Sequence, residues 1–162
     1  MMNRLHNDDW GFETNCFVCE PTNAQGLQIP FIHDTERLLV TAEFELNEAF
    51  SGAPTLVHGG VVLAVLDEAM AWACIAIGKQ WAVTTETTTR FDRAVRVGSR
   101  YRVEAEVVDH VDATMRTSAR VLDRRGVIRA EANATFTTLG EAQAVRIAGG
   151  AIGDRHRQYV ND

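Results

Sequence analysis

Cysteine, lysine and proline are all scarce in this sequence, and each shortage excludes something. Cys16, Cys19 and Cys74 are the only cysteines in 162 residues, an odd and low count that rules out a disulfide framework. Lys79 is the single lysine among 16 basic side chains, which face 22 acidic ones. The resulting net charge of −6 argues against nonspecific binding to nucleic acid or to an anionic membrane. Residues 1–9 are polar and acidic, without the apolar stretch of a secretory leader. The longest apolar stretch, residues 61–77, is interrupted by Asp67 and Glu68 and reads as short of a membrane span. Internal repeats and Pro- or Gly-rich linkers are also missing. The expectation is a reduced, cytoplasmic, single-domain protein with no nucleic-acid or membrane partner.

What is present is ordinary globular material, 46% hydrophobic and 23% charged. The other fifteen basic residues are arginines, whose planar guanidinium groups pair with phosphate and carboxylate, so a phosphate-bearing ligand remains compatible with the acidic total. Residues 1–26 have few periodic apolar positions and read as an arm. Leu27, Ile29 and Phe31 then alternate with polar neighbours, a turn is expected at His33-Asp34, and residues 37–46 alternate again. Both segments read as half-buried antiparallel strands. Residues 61–77 are rich in Ala, Leu and Met and lack Gly and Pro, which predicts a helix, apolar nearly all round and stopped by Gly78. Four more strands follow, at residues 82–91, 101–107, 115–122 and 127–136. The last two are joined by Asp123-Arg124-Arg125-Gly126, a hairpin loop with glycine placed for positive φ. The order β-β-α-β-β-β-β predicts an α+β domain over residues 27–139, one wrapped helix against one antiparallel sheet, with a mobile tail at 140–162.

A helix buried on most faces carries two adjacent carboxylates, Asp67 and Glu68, which lie about 100° apart around it. Ionised carboxylates are seldom buried without a partner. Both could reach a solvent edge or pair with arginines of a strand; one could instead serve as a general base or nucleophile. Gly59 and Gly60 at the helix start leave N–H groups bare of side chains, where free donors and the helix dipole favour an oxyanion. A tight turn is the plainer use for them, and capping the plainer use for His58.

The run from Val57-His58-Gly59-Gly60 through Leu66-Asp67-Glu68-Ala69-Met70 resembles the signature of hotdog-fold acyl-CoA thioesterases of the PaaI-like branch. Cys16-Phe17-Val18-Cys19 with Asn23 and Gly26-Leu27 resembles an N-terminal arm of bacterial members, and Val83-Thr84, Arg90-Phe91 and Gly98 resemble the strand after the helix. The resemblance spans residues 16–138. It implies hydrolysis of an acyl-CoA thioester to free acid and coenzyme A, with Gly59 supplying the oxyanion-hole N–H and His58 shaping its loop. Asp67 would be base or nucleophile, and Thr84 would hold water or the carboxylate. Gly60, Glu68, Arg90 and Arg93 are the expected contacts to substrate and coenzyme, within a basic stretch that also holds Arg96, Arg100 and Arg102. Gly52 stands where the family often has a polar residue, and Arg93-Ala94 where it usually has Arg-Pro. A hotdog hydratase or dehydratase, and a non-catalytic acyl-CoA binding or regulatory protein, are the alternatives.

No cofactor beyond the substrate's own coenzyme A is expected. His6, His33, His58, His110 and His156 are scattered and the C-x-x-C is unpaired, so no metal is expected either, and Cys16 and Cys19 are expected to pack the arm near the acyl end of the site. Gly59 and Asp67 are eight residues apart, about 12 Å along one helix, too far to serve one thioester carbon. If both act they come from two subunits, which predicts a homodimer with two equivalent sites and allows a dimer of dimers.

Overall fold

Nine strands, three α-helices and a short 3-10 turn (Glu48–Phe50) follow one another among residues 1–7 and 14–157, the residues that this computed structural model describes. Residues 8–13 of the expected arm and 158–162 of the expected tail lie outside them. In chain order the elements are β1 (Met2–Arg4), β2 (Ile32–Asp34), β3 (Leu39–Glu45), β4 (Ser51–Ala53), β5 (Leu56–Val57) and α1 (Gly59–Ala76). They continue with β6 (Ala82–Phe91), β7 (Arg100–Val111), β8 (Thr114–Asp123), β9 (Ile128–Thr138), α2 (Glu141–Ala148) and α3 (Asp154–Arg157). Seven strands form one sheet in the order β1-β2-β3-β7-β8-β9-β6, every pairing antiparallel; β4 and β5 form a small separate hairpin.

The sheet wraps α1, as the all-round apolar character of that segment predicts. Val65, Leu66, Ala69, Met70, Ala73 and Cys74 of the helix are fully buried against Val40, Val103, Met115, Val121 and Phe136 of the strands. By length and composition α1 could cross a bilayer, contrary to the expectation that it falls short; here nine of its eighteen residues are buried inside the fold as its core. Each large side chain fully buried this way contributes about 1.5–3 kcal/mol.

Four boundaries differ from the sequence reading. Residues 27–31 are not a ladder strand: Leu27 and Ile29 donate to the carbonyls of Phe17 and Val18 in the arm, and pairing with β3 starts only at Ile32. The expected turn at His33-Asp34 falls later, because the Asp34 carboxylate accepts from the N–H groups of Glu36 and Arg37 and so opens the turn instead of occupying its centre. Gly78 follows α1 as expected, but the positive φ belongs to Lys79. Gly78 is required by close approach: a Cβ there would lie 2.4 Å from Met115 Cε and 2.7 Å from the Cys74 carbonyl oxygen. Finally, the described part of the expected mobile tail, residues 140–157, folds. Its helix α2 closes at Gly149 (φ +75°), and Trp81, Leu139, Ala144 and Ile152 bury a second small core beneath it. Gly126 has the positive φ that its hairpin loop predicts.

Candidate active site

His58 stops the chain short of helical geometry and caps α1, its Nδ1 accepting from the Gly60 N–H at 2.9 Å. One donor is thereby used up, while the Gly59 N–H at the first helical position has no partner among the described residues. Packing within the chain does not explain a glycine there. A Cβ on Gly59 would meet only the Phe91 ring, at an ordinary 3.7 Å, whereas one on Gly60 would crowd His58 Nδ1 at 3.1 Å. Gly52, the position without the family's polar residue, lies against His58, 3.1 Å from its Cα by the same measure. Gly60 therefore serves the cap, and Gly59 leaves an uncovered donor open to an approaching ligand.

Two turns further along α1, Asp67 faces the start of β6. Thr84 Oγ1 donates to Asp67 Oδ1 at 2.8 Å. A β-bulge interrupts the ladder with β9 between Thr84 and Glu86, and bulges re-aim strand side chains at such points. One carboxylate oxygen is thus held by a neutral donor and the other remains available. Asp67 makes no ion pair with Lys or Arg among the described residues.

Glu68 turns the other way. Its Oε1 lies in hydrogen-bond contact with Cys16 Sγ at 3.4 Å, and Cys19 Sγ completes a group in which all three ligand-type atoms lie within 4.8 Å of one another. Burial beneath the arm, then the Cys16 charge, pushes the Glu68 carboxyl up to about 8. Cys16 is lowered to about 5, first by the Cys19 thiol and further by the Cys19 and Val18 N–H groups, against the effect of burial. Cys19 is raised, chiefly because it donates to Cys16 and is itself desolvated. Glu68 and Cys16 also line a mainly apolar cavity of about 300 Å³, walled by Trp72 and Ile75 of α1, Trp81 and Val83 at the head of β6, and Ile147 of α2.

The expected coenzyme arginines divide. Arg90 is tied to Asp92 and Glu131, and Arg102 to buried Glu104. Arg93 is exposed and meets Arg129 through its backbone. Arg96 and Arg100 instead line a cleft of about 310 Å³ with Arg124, Arg125 and Arg129. Arg129 pairs with Asp123 at 2.7 Å; the other four make no ion pair among the described residues. From sequence, Arg124 and Arg125 read only as part of a hairpin loop. Their adjacency in a turn otherwise built for glycine was the available signal.

A seven-stranded antiparallel sheet wrapped around one long helix defines a hotdog-fold protein. Residues 55–130 match the family model of the Thioesterase superfamily. Among solved structures, a thioesterase superfamily protein aligns with a TM-score of 0.72 at 20% identity, over 76% of this chain and 63% of its own. This chain therefore spans under two thirds of that relative's length. A Streptococcus mutans UA159 protein solved bound to acetyl-CoA gives a TM-score of 0.60 at 19% identity, over 63% of this chain and 82% of its own. The PaaI protein of the E. coli phenylacetic acid degradation operon gives 0.59 at 18%, over 64% and 74%. No curated protein sequence matches the chain significantly.

Proposed function

We propose that the protein hydrolyses an acyl-CoA thioester, as a PaaI-like enzyme, with Gly59 from one subunit and Asp67 from the other in each site. The observation that carries this is the pairing of an uncovered Gly59 N–H with an un-neutralised Asp67 held by Thr84. Asp67 takes a proton from water, the water oxygen bonds to the thioester carbon, and the carbonyl oxygen gathers charge at the Gly59 N–H. A donor so placed supplies roughly 2.7–4 kcal/mol to the transition state. Collapse of the intermediate breaks the C–S bond, and the departing sulfur takes the proton. Attack by Asp67 itself, followed by hydrolysis of the anhydride, uses the same groups. His58 holds the loop of the oxyanion donor and Thr84 orients the base. Acetyl-CoA bound to the Streptococcus mutans protein, and coenzyme A bound to a hypothetical thioesterase of Streptococcus pneumoniae TIGR4 with a similar fold, support this substrate class.

The shared site requires a dimer, and β6 supports one. It is the outer strand of the sheet, ten residues long and mostly exposed, with Val83 and Phe91 open to solvent at either end. A long uncovered edge is a template for pairing with another chain. The apolar cavity walled by Trp72, Trp81 and Val83 suits the acyl group, and the cleft of Arg96, Arg100, Arg124 and Arg125 suits the coenzyme phosphates. Release of free thiol from a panel of acyl-CoAs, followed with DTNB, tests the proposal. Turnover of at least one aromatic or medium-chain member is expected. Tight binding without thiol release would favour a non-catalytic acyl-CoA protein, and addition of water to an enoyl-CoA would favour a hydratase.

A further inference from the structure

We propose that Cys16, Cys19 and Glu68 form a binding site for a zinc-class divalent cation that pins the N-terminal arm to α1. Spacing alone presents two cysteines and no further ligand; the fold brings a carboxylate from 52 residues away into contact with them. The dimensions suit tetrahedral coordination. Zn–S bonds of about 2.3 Å and Zn–O bonds of about 2.0 Å put a sulfur and an oxygen ligand roughly 3.5 Å apart, and Cys16 Sγ lies 3.4 Å from Glu68 Oε1. The three donor atoms fall within 4.8 Å of one another.

Around the sulfurs, hydrogen-bond donors stand where metal-bound thiolates need them. Cys16 Sγ accepts from the Val18 N–H at 3.3 Å and the Cys19 N–H at 3.4 Å, and Cys19 Sγ accepts from Asn7 Nδ2 at 3.2 Å. Such outer contacts orient ligands and tune the site. The rest of the arm holds this loop. Asn23 Nδ2 donates to the carbonyls of Asn15 and Cys16, and Gly26 passes so close to Phe17 that a Cβ would lie 2.6 Å from its carbonyl oxygen. Buried Glu20 gathers Thr14 and Thr22 next to the cysteine turn. Soft sulfur ligands with one carboxylate select zinc over magnesium or calcium. The fourth position falls to solvent from the cavity that Cys16 and Glu68 line.

Glu68 and not Asp67 meets the cysteines, and the test reads metal binding, so it does not depend on thioester hydrolysis. The full chain, reduced and freed of metal, is titrated with Co²⁺ under argon. One equivalent per chain is expected, with a thiolate-to-cobalt charge-transfer band in the near ultraviolet that Zn²⁺ abolishes. Cys19→Ser should weaken binding at least about tenfold and remove most of the band, and Glu68→Gln should weaken binding while keeping it. Metal binding should also raise the melting temperature of the native chain and not that of Cys19→Ser. Circular dichroism of each variant shows whether it is folded; if Cys19→Ser is not, the Glu68→Gln titration carries the test. Absence of a charge-transfer band in the reduced native chain overturns the proposal. So does equal binding by native and variant chains, or a purified protein whose Cys16 and Cys19 are disulfide-linked and, once reduced, takes up no cobalt.

Discussion

Asp67 and Glu68 are neighbours on one helix, and the fold gives them opposite surroundings. Asp67 faces the start of β6, is half-buried and meets one neutral hydroxyl. Glu68 faces the arm, meets sulfur and is driven toward its protonated form by burial. The same carboxyl chemistry meets a neutral hydroxyl on one side and cysteine sulfur beneath the arm on the other. What separates the two is a 100° step around the helix and the identity of the element packed there.

That contrast is broken most directly at the carboxylates themselves. Asp67→Asn, nearly isosteric, should lower kcat about 10²–10⁴-fold with the fold intact. Glu68→Gln should cost less than about tenfold, through altered packing of the cavity wall. Steady-state rates of the two variants decide it; comparable losses, or a larger one at Glu68, would move the base to the arm side.

A recovery experiment follows in size. Gly59→Val should block approach to the helix start, with room for its Cβ beside Phe91, and leave the protein folded but inactive. Mixing it with Asp67→Asn under subunit exchange should rebuild one intact site per heterodimer, the other site carrying both defects. Activity that fails to return, with exchange confirmed by mass spectrometry of the mixed dimers, would place both groups in one chain.

Much of this was legible before any coordinates. Residues on one helix have their relative positions set by 1.5 Å and 100° per residue, so the separation of Gly59 and Asp67 and the divergence of Asp67 from Glu68 follow from their numbers alone. Strands with strict alternation, such as β7 and β8, were equally plain. Long-range contacts were not. Nothing local joins Glu68 to Cys16, and nothing in the spacing says that Arg124 and Arg125 share a cleft with Arg96 and Arg100. The segment at 27–31 misled because alternation reports a half-buried extended chain, whether its N–H groups meet a sheet or an arm loop. Residues 140–152 misled because Ala and Gly carry little hydrophobic signal, although Ala144 and Ile152 suffice to close a small core over Trp81.

Thr84 sharpens the Asp67 side of the comparison. If its hydroxyl only orients the carboxylate, Thr84→Val removes one neutral hydrogen bond, about 0.5–1.5 kcal/mol, and should lower kcat about two- to tenfold with KM little changed. Thr84→Ser, which keeps the donor, should restore most of that loss. A KM effect larger than the kcat effect would make Thr84 a wall of the acyl cavity instead of a positioning residue.

The smallest effect belongs to a carboxylate with no chemical task. Asp109 on β7 stands opposite Arg116 on β8, and Arg116 follows fully buried Met115, so the pair lies on the sheet face turned away from α1. Hydrogen bonding from the Arg116 guanidinium, joined by its charge, holds the Asp109 carboxyl below the usual range, with Arg116 Nε donating at 2.9 Å. A carboxylate depressed in the folded state binds fewer protons there than when unfolded. Its contribution is therefore complete above the unfolded value of about 4 and is lost as pH falls through the lower folded value. Asp109→Asn should lower the melting temperature by less than about 4 °C at pH 7, since exposed pairs contribute little. The gap between native and variant should close below pH 4 and shrink in high salt, while thioester turnover stays at the native rate. A gap unchanged at pH 3 would mean that Asp109 acts through packing, and a loss of turnover would mean that the outer face of the sheet communicates with the site on α1.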